Sequence, residues 1–278
     1  MAKKRYAIQN KIPVAAAAPT TSGVVRVDRC LSRMNHRLYR EGRFYEVKID
    51  LDVSNAPTGP VEVFALKDTW ANHQAYKMAF DVYMKSTAEE RSRLSKSQLA
   101  RWQDFRVSSG VSMNALLPRV ADGTGAESQL TNGENLLSLV TDSSGNDRTF
   151  TWGTAAASEY NIVDEYQKKA NISDEPDSAT AQAPYSDQAS DTSDNESLAL
   201  QNRGNSPPYD ADSFGQNFVK VATLSASPGQ QKLSSGFFSA PCGIVFVTGM
   251  EAAVLNPLTL TVKLGDYKGV HAPSMLDV

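Results

Sequence analysis

Tyr45-Glu46-Val47-Lys48-Ile49-Asp50-Leu51-Asp52-Val53 decides the fold class. Tyr45, Val47, Ile49, Leu51 and Val53 alternate without a break with Glu46, Lys48, Asp50 and Asp52. A period of two sends the apolar set to one face, so the stretch reads as a half-buried strand. Asn55-Ala56-Pro57-Thr58-Gly59-Pro60 supplies turn residues, and Val61-Glu62-Val63-Phe64-Ala65-Leu66 reads as a second strand, expected antiparallel to the first. Leu136–Val140 and Arg148–Trp152 flank Asp142-Ser143-Ser144-Gly145-Asn146-Asp147, a hairpin with turn residues at its tip. Further strands are expected at Phe218–Leu224, around Gly236–Phe238, at Gly243–Thr248, and where Leu258, Leu260, Val262 and Leu264 alternate with Thr259, Thr261 and Lys263. That makes about eight strands with no βαβ rhythm, which favours an all-β, two-sheet sandwich.

One stretch breaks the β pattern. Ala71, Ala75, Met78, Ala79 and Val82 recur at helical spacing behind Asp68 or Thr69 as N-cap. Thr87-Ala88-Glu89-Glu90 and Ser95-Lys96-Ser97-Gln98 are capping-box patterns, so two or three short helices are expected over about 68–104, with Leu94, Leu99 and Trp102 as buried contacts. Trp70, Trp102 and Trp152 each lie in an apolar pattern that predicts core.

Charge is distributed unevenly. The first 48 residues carry eleven Lys/Arg against three Asp/Glu, +8, whereas the whole chain is −3. Arg26, Arg29, Arg33, Arg37 and Arg40 step by 3, 4, 4 and 3. On a helix they occupy a stripe about 80° wide, with Val27, Leu31, Met34 and Leu38 roughly 130° away. A turn at Glu41-Gly42 would instead make 29–40 a strand, with Arg29, Arg33 and Arg37 on one face. In both readings one side packs and the other meets a polyanion. With Lys3, Lys4, Arg5, Lys11 and Arg43, these arginines are the candidate nucleic-acid-binding residues. Contacts of this kind hold phosphate without reading sequence.

The domain reading is a basic, disordered N-terminal arm over 1–22 and one domain over 23–278. Residues 171–200 hold seven acidic and no basic residues, and the polar character continues to about 214, so a long acidic surface loop is expected. Cys30 and Cys242 are expected as buried thiols rather than a disulfide. No apolar run approaches membrane-spanning length, and no membrane partner is expected. Asn171-Ile172-Ser173 and Asn195-Glu196-Ser197 match the glycosylation pattern accidentally if the chain is not secreted. Enzyme constellations are missing. His36, His73 and His271 are scattered, no cysteine cluster has zinc spacing, and neither a G-x-S-x-G nor a Walker lysine occurs. No catalytic residue, metal or cofactor is expected. Asp50 and Asp52 read as a solvated strand face before a Ca²⁺ site.

Asn35-His36-Arg37-Leu38-Tyr39-Arg40 leading into the 43–53 strand, and Tyr267-Lys268-Gly269-Val270-His271-Ala272-Pro273 after the last strand, resemble segments of coat proteins of small single-stranded DNA viruses. The overall layout is similar to that of coat proteins of small icosahedral viruses with DNA or RNA genomes. Such arms are often richer in Lys/Arg than residues 1–22, so the arginines over 26–43 would share the load. The resemblance implies an eight-stranded jelly roll repeated in 60 copies or a multiple, enclosing single-stranded nucleic acid in a virion made in the host cytoplasm or nucleus. The other reading is a β-sandwich binding module of carbohydrate-binding or adhesin type, which requires an exposed aromatic platform.

Overall fold

The computed structural model describes residues 8–16, 20–52, 59–110, 113–121, 127–129, 136–153, 155–170, 217–225, 232–250 and 258–277. Strands β1 (Lys11–Ala15) and β2 (Ser22–Arg26) precede α1 (Val27–Asn35), β3 (Phe44–Asp52) and β4 (Val61–Leu66). Helices α2 (Trp70–Ser86), α3 (Ala88–Ser92) and α4 (Lys96–Trp102) follow. Next come β5 (Asn114–Ala121), β6 (Glu127–Gln129), β7 (Leu139–Thr141), β8 (Asp147–Thr151), β9 (Glu159–Asn161) and α5 (Ile162–Ala170). The last third holds β10 (Phe218–Leu224), β11 (Lys232–Ser234), β12 (Phe238–Pro241), β13 (Ile244–Thr248), β14 (Leu258–Val262) and β15 (Leu264–Tyr267).

Two groups of strands share one core. In the first, β3 pairs with β14, β11 and β12, and β1 lies on the far side of β14. In the second, the order is β10-β4-β13-β2. Strand β5 joins them, parallel to β2 through Asn114–Leu116 and antiparallel to β1 at Leu117 and Pro118. The sheet ends at β10 and β11. Ile12 and Val14, Val47, Ile49 and Leu51, and Leu258, Leu260 and Val262 meet Val25, Val61, Val63, Val245 and Val247 in this core. The period of two read from Tyr45 to Asp52 is thus the packing period of β3, and Val53 lies outside the described residues.

Within the second strand group, β2 and β13 are buried on both faces, whereas β10 at its edge is largely exposed. Val24, Ile244, Phe246 and Leu66 point outward into another core, closed by α2, α5 and the small sheet β7-β8-β9. Ala71, Ala75 and Ala79 let α2 approach closely, and Tyr76, Tyr83, Phe105 and Trp152 fill the space. Tyr76 stacks on Trp152 at 6.3 Å and donates to the Phe105 carbonyl at 3.0 Å. Thr69 caps α2, its Oγ1 accepting from Asn72 N at 3.4 Å. At α4, Ser95 N donates to Gln98 Oε1 at 3.1 Å, a bond of the expected capping box. Thr87 instead bonds back to the Tyr83 carbonyl at 2.7 Å and gives α3 no side-chain cap.

Several expectations are corrected. The molecule is β-rich rather than all-β, and the described residues hold fifteen strands, not about eight. Residues 11–15 are not an arm. They form β1, held between β14 and β5, because Ile12 and Val14 alternate with Lys11 and Pro13. Strand β4 pairs with β10 and β13 rather than with β3. Trp70 is 59% exposed and Val82 faces solvent, while Leu94, Leu99 and Trp102 are only half-buried. Asp50 is buried, with Lys48 Nζ at 3.1 Å and Lys232 Nζ at 3.3 Å. Burial opposes its ionisation, yet Ser234, Lys48 and Lys232 hold its carboxyl below the usual range. Cys30 and Cys242 are free and buried, and burial pushes the Cys30 thiol up to about 12. The expected acidic loop, 171–214, lies outside the described residues.

Candidate nucleic-acid interface

The arginine segment is helical only over Val27–Asn35. Val27, Leu31 and Met34 of the expected apolar stripe turn into the first core together with Cys30, whereas Leu38, the fourth residue of that stripe, lies past the end of the helix. Helix α1 stops at His36, whose φ of 49° is left-handed. Ser32 helps fix the exit, its Oγ accepting from Tyr39 N at 2.9 Å and donating to the Asp28 carbonyl at 2.7 Å. Asn35 exchanges two bonds with the backbone of Gln9, at 2.8 and 3.1 Å, tying the entry to β1 against the helix.

The arginines therefore do not share one stripe. Arg26 is withdrawn from the candidate set by burial. It ion-pairs with Glu41, lies 3.9 Å from Asp28 and donates to the Val107 carbonyl at 3.0 Å. Arg29 and Arg33 are half-buried on α1, and Arg37 is exposed just past it. Burial and the nearby Arg26 charge pull the Arg29 guanidinium down to about 10, so it remains charged at neutral pH. Lys11 is exposed on β1. Lys3, Lys4 and Arg5 lie outside the described residues.

Between α1 and β3, residues 36–43 form a connector built against the chain's other end. Tyr39 is buried and its hydroxyl donates to the Lys268 carbonyl at 3.1 Å, while Arg40 N donates to the Tyr267 hydroxyl at 3.3 Å. Lys268 Nζ donates to the Leu38 carbonyl. Phe44 N donates to the Pro273 carbonyl at 3.0 Å. The two stretches carrying the family resemblance, more than 220 residues apart, thus interlock.

That junction gathers cations around tyrosines. The Arg43 guanidinium lies 3.4 Å above the Tyr267 ring and donates to the Ala272 carbonyl at 2.6 Å. Lys268 Nζ is 5.3 Å from the Tyr267 ring centre and 5.8 Å from that of Tyr39. Arg40 donates to Gln103 Oε1 at 3.0 Å. Among the described residues these three cations take neutral partners and no carboxylate. Lys268 and Gly269 have φ of 51° and 99°, the two left-handed positions of a type I′ turn, which holds Lys268 at the hairpin tip. Sequence reasoning missed Lys268 as a site residue because it stands alone among Asp266, Tyr267 and Gly269, far from the basic run.

Behind the connector lies a buried charge cluster. Glu41 is fully buried, its Oε1 accepting from Val107 N at 3.0 Å and its backbone N–H reaching Asp104 Oδ1 at 3.2 Å. Arg106 pairs with Asp104 at 2.7 Å and with Asp28 at 3.4 Å. The apolar frame Phe105-Arg106-Val107 was the available signal for a buried arginine. Among the described residues no group of three or more His, Cys, Asp or Glu is placed to hold a metal ion, and no helix is long and apolar enough to cross a membrane. No protein-family model, curated protein or solved structure matches the chain.

Proposed function

We propose that this chain is a viral coat protein that assembles into a closed icosahedral shell and holds single-stranded nucleic acid through its basic segment, with no catalysis. The observation that carries the reading is the junction of Arg40, Arg43 and Lys268 on Tyr39 and Tyr267. Among the described residues it presents charge without carboxylate partners on a β scaffold, next to the exposed Arg37. Phosphate backbones bind such cations in proportion to their number and release with salt. A jelly-roll wiring of the two strand groups, with the connector facing the lumen, belongs to the same reading. The acidic remainder of the chain is tolerated on the outside, away from enclosed phosphate.

Negative-stain imaging of the purified chain tests this. Uniform hollow particles are expected, and their 260 to 280 nm absorbance ratio should fall when Arg29, Arg33 and Arg37 are replaced by Ala. A monomer without nucleic acid would overturn it. One observation favours the β-sandwich binding module instead. Exposed Trp70 meets the half-buried Tyr166 edge to face at 6.3 Å, which supplies an aromatic surface of the kind that reading needs. Under that reading the chain stays monomeric and Trp70→Ala abolishes glycan binding.

A further inference from the structure

The entry to β1 is fastened on three sides at one corner of the molecule. Ile8 packs against the first core, so close to Gly269 that a Cβ built there would meet its Cδ1 at 2.9 Å. The backbone of Gln9 exchanges bonds of 2.8 and 3.1 Å with the Asn35 side chain at the end of α1. Asn10 exchanges two with Val262 at the end of β14. The Val262 amide donates to the Asn10 carbonyl at 2.8 Å, and Asn10 Nδ2 donates to the Val262 carbonyl at 2.9 Å. Ile8 is therefore a fixed point between the end of α1 and the tip of the β15 hairpin. Both neighbours of that point are cationic. Lys268 directly precedes Gly269, and Arg37 stands two residues past Asn35. Arg40 and Arg43 reach the same place through Tyr267, which packs against the first core as Ile8 does. Covalent geometry bounds the preceding residues. At no more than about 3.6 Å per residue, the Arg5 Cα lies within about 11 Å of the Ile8 Cα, and that of Lys3 within about 18 Å.

We propose that Lys3, Lys4 and Arg5 join Arg37, Arg40, Arg43 and Lys268 in one composite surface that holds a single strand of nucleic acid, in place of an arm and a junction that bind separately. The proposal rests on the nucleic-acid reading above and narrows it. Because Lys11–Ala15 is taken into the sheet as β1, the tether between the leading cations and the junction is short. Once the junction holds a strand, the tethered cations meet the same strand intramolecularly, so two weak sets of contacts multiply. The cations then follow one phosphate backbone without reading bases. Lys268, from the far end of the chain, enters this surface through the contact of Gly269 with Ile8.

The test titrates the full chain with a fluorescent oligothymidylate of about fifteen nucleotides at several salt concentrations. Replacing Lys3, Lys4 and Arg5 together with Ala should lower the log–log salt slope by about two, and Lys268→Ala should lower it by about 0.7. A third variant inserts about ten Gly and Ser residues between Ala7 and Ile8, which keeps every charge and lengthens only the tether. Its affinity should fall about fivefold, because effective concentration drops steeply with linker length. Undiminished affinity in the insertion variant would overturn the composite surface, as would a slope untouched by the Lys3, Lys4 and Arg5 substitutions. Either result, beside a wild-type chain that still binds the strand, leaves the nucleic-acid reading standing. A wild-type chain that binds no oligonucleotide would overturn both.

Discussion

Arg26 and Arg37 differ little as letters and greatly as charges. The first lies in a cage of Glu41, Asp28 and the Val107 carbonyl, and the second is exposed past the end of α1. Removing one partner of a buried ion pair leaves the other uncompensated, so Arg26→Ala should cost about 3–5 kcal/mol in chemical denaturation. Arg37→Ala should stay within about 0.5 kcal/mol of wild type. Nucleic-acid retention by folded protein should depend on Arg37 rather than Arg26. A stable Arg26→Ala protein would remove the argument for a structural guanidinium. Asp142 makes a second case. Hydrogen bonding from Arg148, with the Asn146 and Ser144 amides, holds its carboxyl down to about 2. It therefore supports the β7–β8 turn above the unfolded value and loses that support as pH falls through about 2. The Ser144 and Asn146 amide signals should titrate there; a midpoint near the ordinary Asp value of about 3.9 would contradict the geometry.

At the scale of elements, β1 and the β15 hairpin matter most. Strand β1 buries Ile12 and Val14 between β14 and β5, so it belongs to the sheet rather than to an arm. Ile12→Ala should destabilise by about 2–5 kcal/mol, and deletion of residues 1–16 should abolish soluble expression. Full solubility of that deletion would return the segment to the status of an appendage. The hairpin tip depends on Gly269 at φ 99°, where a side chain would also meet Ile8 at 2.9 Å. Gly269→Val should shift Lys268 from the Leu38 carbonyl and weaken nucleic-acid retention without unfolding the β core. Unchanged retention in a folded variant would count against the junction. Strand β10, at one end of the sheet, carries a register shift between Lys220 and Ala222, which interrupts an edge otherwise open to pairing.

For the whole molecule the issue is polarity. The first 48 residues sum to +8 and the remainder to −11, and the fold draws Lys268 from the acidic part into the basic group. Binding of a single-stranded oligonucleotide should weaken steeply with salt, and each phosphate-contacting cation removed should lower the log–log slope by about 0.7. A variant lacking Arg40, Arg43 and Lys268 should lose roughly two units of slope. An unaltered slope would place the contacts elsewhere. Shortening 173–206 should leave folding and assembly intact, because that stretch has no apolar period; insoluble protein would contradict this.

Periodicity made much of the scaffold legible. The alternations at 45–52 and 258–262, the apolar stripe of α1, and the Asp142 turn all follow from residues within a few positions of one another. Such patterns establish what each segment is, since burial of one face depends only on local spacing. Pairing was decided by tertiary structure. That β4 joins β10 and β13, that Tyr267 and Lys268 receive Arg40 and Arg43, and that Arg26 is neutralised by Glu41 all depend on groups tens to hundreds of residues apart. A charge in a sequence carries no record of its dielectric surroundings. Only the fold determines which arginine meets water and which meets a carboxylate.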